Sequence, residues 1–328
     1  MPALALNLGL LAAGVLALGA ACLLGSTPLD AHRVLAAFLG QASVADAIVV
    51  LEIRLPRALA AFAAGAALGA SGAALQGLLR NPLAEPGVLG VSATASLFAT
   101  VALYYGLAAA GAFVVPVAAI AGALAATALL ALAALRIRSI VTLILVGVGL
   151  SSFAAAVMSL LLNLAPNPFT LADMINWLLG SVANRSFDDL GLALPFIGAG
   201  IGVLYVGRRG LGILTLGEEA AAGAGLDLAR QRLTVVLGAG LATGASVGLA
   251  GAIGFVGIVA PHLVRPLVAH DPAQSVVPSA LLAGLVLVLA DIAVRLLPTT
   301  NELKLGVVAA LLGAPVFAWI AVRRRTLE

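Results

Sequence analysis

Charge is scarce in this chain. Of its 328 residues, 9% are Asp, Glu, Lys or Arg and 62% are hydrophobic, with a mean hydropathy of +1.17. A soluble domain carries about 25% charged residues, so a water-soluble fold is excluded. No polar stretch is long enough to fold alone, and residues 1–328 read as a single transmembrane domain. Cysteine is almost missing. Cys22 stands alone, which excludes an intrachain disulfide and a thiolate metal cluster. Lysine is almost missing too. Lys304 follows Leu303, so the Gly-Lys pair with which a Walker A loop holds phosphates is absent, and ATP is not bound by that route. There is no HExxH motif, and His32, His262 and His270 are scattered. His262, in "APHLVRP", reads as a hydrogen-bonded structural residue rather than a metal ligand. No cofactor and no metal are expected in this chain. The net charge of +3 is too weak a signal for a nucleic-acid partner.

Long uncharged runs are abundant. A span needs about 20 mostly apolar residues, and the runs predict an all-α polytopic membrane protein with ten transmembrane helices. They fall at about 3–25, 48–79, 88–105, 112–135, 140–164, 190–207, 232–251, 254–268, 273–296 and 304–322. The first run lacks the basic start of a signal peptide and reads as a retained helix. The stretch from Pro86 to Leu135 holds no charge, and "YYGLAAAGAF" is the expected turn within it.

An even number of spans puts both termini on one side. The positive-inside rule places Arg323, Arg324 and Arg325 in the cytoplasm. Arg80, Arg136, Arg138, Arg208, Arg209, Arg230, Arg232 and Arg265 then also face inward, eleven in all. Six cations are left outside: Arg33, Arg54, Arg57, Arg185, Arg295 and Lys304. Arg54 and Arg57 open the second helix, and Arg295 closes the ninth. Snorkelling to lipid headgroups is the plain explanation. A basic surface that steers an acidic soluble partner is the functional one. Asp291 lies four residues before Arg295, a spacing that suits a helix ion pair.

The seventh helix carries Gly240, Gly244 and Gly248, and the second carries Gly65 and Gly69, spacings that let helices approach closely in lipid. "GASGAALQG" (69–77) echoes "GASVGLAG" (244–251) on helices that run in opposite directions, as in an inverted repeat. After each echo the helix breaks, at "NPLAEPG" and at "GAIGFVG". Broken backbone at membrane depth must be buried in protein or line a cavity, which favours a transporter over a passive anchor. Ion-driven carriers usually show buried carboxylates at the coupling site. Their scarcity here points to energy from a partner. An ion-gradient carrier is the rival reading. A membrane enzyme or scaffold is a second, and it lacks a catalytic cluster.

The longest internal polar segment, 208–233, lies on the cytoplasmic side. Thr215 is expected to cap a helix that starts near Leu216, with Glu218 and Glu219 suited to its first turn. "GAGLD" (223–227) is expected to end it and start another short helix capped by Asp227. Two short helices across the membrane face would make a rigid lever.

Four stretches together resemble one family. They are "RLPRALAAFAAGAALGASGAALQGLLRNPLAEPGVLGVS" (54–92), "LGEEAAAGAGLD" (216–227), "GAIGFVGIVAPHLVRPL" (251–267) and "ELKLGVVAALLGAPVFAWI" (302–320). The chain is similar to the permeases of bacterial ABC importers for iron chelates, haem and vitamin B12, often called the FecCD family. The resemblance implies a type II ABC importer permease in the bacterial inner membrane, working as a homodimer around a central path. It implies two ATP-binding cassette subunits, holding ATP and Mg2+, docked on about 215–230 (Leu216, Gly217, Glu218, Glu219, Ala220, Gly225, Asp227). It implies an extracytoplasmic substrate-binding protein whose acids meet Arg54, Arg57 and Arg295. It places a cytoplasmic gate near Asn81 and Leu83 and near Ser139, Val141 and Thr142. The family's "ELPVG" reads "ELKLG" here, with Lys304 in place of proline. The implied cargo is an iron complex, haem ahead of a ferric siderophore, with cobalamin as the alternative.

Overall fold

The computed structural model describes residues 3–25, 28–137, 139–297 and 302–324, with side chains as far as Val316. Arg138 and Arg325, both counted toward the cytoplasmic side, lie outside these residues. Every regular element among them is helical. In order they are α1 (Ala3–Leu23), α2 (Ala31–Phe38), α3 (Val44–Ala47), a π-helical segment (Ile48–Arg54) that runs into α4 (Leu55–Leu79), α5 (Val91–Tyr104), α6 (Val114–Arg136), α7 (Ile140–Asn163), α8 (Pro168–Leu178), α9 (Phe187–Ile213), α10 (Glu218–Gly223), α11 (Leu228–Ala250), α12 (Val256–Val264), α13 (Pro272–Leu296) and α14 (Leu305–Arg324). Each of the ten expected spans has its helix. Seven are long and apolar enough to cross a membrane, while α5, α12 and the part of α14 with described side chains (Leu305–Val316) are shorter.

Side-chain caps set many of the boundaries. Asn167 accepts the Thr170 N–H at 2.9 Å to open α8, and Ser186 and Asp189 form a capping box at the start of α9. The sequence reading ends the sixth span at 207, but α9 continues to Ile213. Arg208 folds back over the Tyr205 ring, 3.6 Å from its centroid, and donates to the Tyr205 carbonyl at 2.7 Å. Two arginines therefore sit inside the helix instead of ending it. The short helices α2 and α8 escaped the hydropathy reading because neither is long enough to register as a span.

Burial separates the centre from the rim. In α4, 89% of the most apolar stretch is buried against the rest of the chain, and in α7 only 17%. Lipid tails are as apolar as side chains, so helices associate here through close backbone packing rather than hydrophobic burial. Gly65 and Gly69 lie against the Ala283 and Ser279 carbonyls of α13, and Gly72 lies against the Gly257 carbonyl of α12. On α11, Gly240, Gly244 and Gly248 meet Thr127, Ala123 and Ile120 of α6.

These contacts obey one rule of exchange. Replace α4, α5, α6 and α7 by α11, α12, α13 and α14, and each pair maps onto a pair that also packs. The α4–α13 contact becomes α11–α6, α5–α6 becomes α12–α13, and α5–α7 becomes α12–α14. That is the packing of an inverted repeat. It brings into register a longer match than the glycine echo, "GVLGVSA" (87–93) with "GFVGIVA" (254–260). The two broken segments meet inside the bundle, where Glu85 Oε1 accepts the Phe255 N–H at 2.9 Å beside a cavity of about 150 Å³. Phe255 holds φ +66 there, a left-handed conformation that is costly for an aromatic residue.

Candidate functional site

The residues singled out by sequence gather at opposite ends of the bundle. At one end the π-helical segment leads into α4 and presents Arg54 and Arg57 three residues apart. Arg54 Nη1 donates to the carbonyls of Cys22 (2.9 Å) and Leu23 (2.8 Å). Arg295 Nη1 donates to those of Ala21 (3.0 Å) and Leu24 (3.2 Å). The last carbonyls of a helix have no partner within it, and they carry the negative end of its dipole. Two arginines, from the π-helical segment and from α13, thus close the end of α1. Gly25 accommodates Arg54, since a Cβ there would stand 2.9 Å from Arg54 Nη2.

Arg57 is held by two acids. Its Nε and Nη2 donate to Asp291 Oδ1 at 2.9 and 2.7 Å, and its Nη1 donates to Glu302 Oε2 at 3.2 Å. Nη2 also bonds Glu302 Oε1. Asp291 Oδ2 lies 3.1 Å from Arg295 Nε as well, so one buried carboxylate serves two guanidinium groups. A charge buried without a partner is very costly, and here Asp291 has two arginine partners to offset that cost. Three arginines against Asp291 and Glu302 leave the group at 3 − 2 = +1. Among the described residues, the buried Arg295 Nη2 makes no hydrogen bond.

The sequence-expected arginines are therefore brought together, but largely as buried groups rather than a free basic surface. Asp291 was expected only as the partner of Arg295, and Glu302 was not expected at all. The signal for both was present: an acid near the membrane-embedded end of a helix is costly unless a cation faces it. Replacing Arg54 by Met keeps the apolar stem and orphans two carbonyls, each worth about 1–3 kcal/mol when buried. The expected result is a thermal-denaturation midpoint several degrees lower in detergent, with Arg54→Lys falling between. An unchanged midpoint would show that water caps α1 equally well.

At the other end, α10 sits between α9 and α11. Gly217 (φ +100) turns the chain into it, so Thr215 is not its cap; the Thr215 hydroxyl donates back to the Gly212 carbonyl at 2.7 Å. A 3₁₀ turn over Leu214–Leu216 takes the place where that helix was expected to begin. The expected second short helix is likewise not separate. Gly225 (φ +89) ends α10, with Gly225 N–H bonded to the Ala222 carbonyl and Leu226 N–H to that of Ala221, the Schellman pattern. Asp227 then caps α11 itself, accepting the Arg230 N–H at 3.0 Å. One short helix, not two, lies across this face.

That helix is anchored. Arg232 Nη2 donates to Glu218 Oε2 at 2.9 Å, and Ala221 is buried in the core. Leu216, Glu219, Ala220 and Gly225 are exposed. Beside them a cavity of about 680 Å³ opens between Arg209, Thr215, Leu216, His270 and Asp271. The residues expected at the gate stand apart on two elements. Asn81 Oδ1 accepts the Leu83 N–H at 2.9 Å in the turn after α4, and Ser139 Oγ accepts the Thr142 N–H at 3.4 Å as the cap of α7. Ser139, Val141 and Thr142 are exposed on this chain.

A family model described as the FecCD transport family matches residues 10–323. The chain is 41% identical to the vitamin B12 import system permease protein BtuC of Vibrio cholerae serotype O1, over 84% of this chain and 83% of that one. It is also 41% identical to the uncharacterized ABC transporter permease protein YvrB of Bacillus subtilis strain 168, over 84% of this chain and 79% of that one. Among solved structures, an ABC transporter described as of the metal-chelate type, in an inward-facing conformation, superposes with a TM-score of 0.85. It is 28% identical, over 98% of this chain and 99% of that one.

Proposed function

This chain belongs to the FecCD transport family, and from that membership we propose a finer reading of how it works and what it carries. It is an integral membrane permease of an ABC importer. In the proposed assembly two copies meet along their α7 faces, the least buried long helix, and enclose a central path. Two separate ATPase subunits bind the α10 ends and supply ATP and Mg2+. A substrate-binding protein docks at the Arg54, Arg57 and Arg295 end. Both termini lie in the cytoplasm of a bacterial cell, and the α10 end is the cytoplasmic one. Asn81, Leu83, Ser139, Val141 and Thr142 then narrow the path on that side.

One observation carries this reading. α4 begins at the arginine cluster and ends at Arg80, whose Nη1 lies within 3.7 Å of where a Gly217 Cβ would be. A single buried helix about 37 Å long connects the two candidate docking ends. In this reading, movement of α10 by the ATPase reaches the opposite face along this helix.

The relatives favour cobalamin as cargo ahead of the iron complex expected from sequence, because a vitamin B12 permease shares 41% identity over most of both chains. An iron chelate is the second reading, supported by the metal-chelate type neighbour. The test is a mild-detergent pull-down of the tagged chain, followed by uptake in proteoliposomes that contain the recovered partners. A co-purifying subunit with a Walker A loop and ATP-dependent uptake of cyanocobalamin is the expected result. Uptake of haem or a ferric hydroxamate instead would select the iron reading. Gradient-driven uptake by the pure chain would replace both with a secondary carrier.

A further inference from the structure

Arg57 has two hydrogen-bonding edges, and both are taken. The guanidinium is planar, and its five N–H groups are grouped so that one carboxylate fits across Nε and Nη2 and another across Nη1 and Nη2. Asp291 holds the first edge from inside the bundle, with a side chain 1% exposed. Glu302 holds the second from the outside, with a side chain 40% exposed. A carboxylate arriving from solvent can reach Arg57 only at the edge that Glu302 occupies.

We propose that Glu302 is an intramolecular stand-in for the docking carboxylate of the substrate-binding protein, displaced when that protein binds. The inference rests on the docking reading above and adds an obligatory exchange to it. Two features make the exchange feasible. Glu302 lines an open, largely polar cavity of about 580 Å³ shared with Asn176, Ser181, Asn184 and Lys304. The released carboxylate therefore enters solvent beside the chain's one lysine. It also precedes α14 by three residues, in a stretch with no regular structure. What remains at the head of α14 includes the Gly306 N–H bond to the Gly180 carbonyl at 3.1 Å. An apolar cavity of about 120 Å³ lies between α12, α13 and α14. Exchange at Arg57 thus loosens the start of one helix as it secures the partner.

Glu302→Gln keeps the shape of the side chain and removes the competing charge. The cluster of three arginines and two acids goes from +1 to +2. The experiment measures binding of the recovered substrate-binding protein to the whole transporter in nanodiscs, at low and high salt. Removing an internal competitor should tighten binding by about three- to tenfold, or about 0.7–1.4 kcal/mol, with a steeper salt dependence. Glu302→Asp should stay near wild type. In the wild type, amide hydrogen exchange over residues 302–306 should quicken when the binding protein is added. Unchanged or weaker binding by Glu302→Gln, or slower exchange over 302–306, overturns the stand-in. Arg57→Glu separates the two ideas. If it leaves binding intact, the docking reading itself falls. If it weakens binding while Glu302→Gln has no effect, only the exchange falls.

Discussion

Replacing Gly72 by Val should abolish the assembled protein. A Cβ at position 72 would stand 1.8 Å from the Gly257 carbonyl oxygen and 2.7 Å from its carbon. Both atoms are backbone, so no rotamer change relieves the clash and α4 and α12 must separate. Overpacking a core usually costs about 1–3 kcal/mol when side chains can shift; here only whole helices can. The measurement is the yield of monodisperse tagged chain by fluorescence-detected gel filtration, where a fall of at least about tenfold is expected. Gly69→Val should be nearly as severe, with its Cβ 2.2 Å from the Ser279 carbonyl. Gly248→Val should be milder, because its nearest neighbour is Ile120 Cγ1, a side-chain atom at 2.8 Å. Gly19→Val, with nothing within 4 Å, should be silent. Equal yields at positions 72 and 19 would refute the close-packing account.

The same glycines show how far sequence could go. Their four-residue spacing announced close packing but not the partners, since spacing says nothing of which helix lies opposite. Only the structure pairs α4 with α13 and α11 with α6, and so turns a faint echo into a repeat. Span number and order were legible because hydropathy over 20 residues is a strong signal. The ends were less so. Hydropathy treats Arg208 and Arg209 as the end of a span, whereas the backbone continues helical hydrogen bonding to Ile213.

Among the site residues, the arginines were legible because charge is so rare here. Their environment was not. Arg57 and Asp291 are 234 residues apart in the chain, and Arg54 meets α1 across 32. No local pattern shows that a cation is already satisfied by a distant helix end. Short-range chemistry fared unevenly at α10. Asp227 was recognised as a cap because the Asx pattern is local. Thr215 was assigned to the wrong task because the Gly217 turn, at φ +100, moves the helix start two residues along.

The Glu218–Arg232 pair should decide whether α10 transmits force. The Arg232 side chain is 6% exposed and that of Glu218 35%, so the pair is half-screened, and losing it should cost about 1–3 kcal/mol. Glu218→Arg does more than lose it. Two guanidinium groups would face each other across a distance now bridged at 2.9 Å, and α10 would swing off α11. In the assembled importer the ATPase subunits would go on hydrolysing ATP against a handle no longer fixed to the bundle. ATP consumed per molecule transported is expected to rise about tenfold or more, the effect of about 1.4 kcal/mol or more on coupling. The swap Glu218→Arg with Arg232→Glu should restore part of the coupling, since it rebuilds the pair with reversed sign while Arg232's other contacts stay broken. Glu219→Arg is the control for surface charge, because Glu219 is exposed on the same helix. It should alter ATPase binding and its salt dependence, and leave transport per ATP unchanged once the complex has formed. If Glu218→Arg and Glu219→Arg behave alike, α10 acts only as a charged contact surface. If only Glu218→Arg uncouples and the swap rescues it, the ion pair between α10 and α11 carries the stroke.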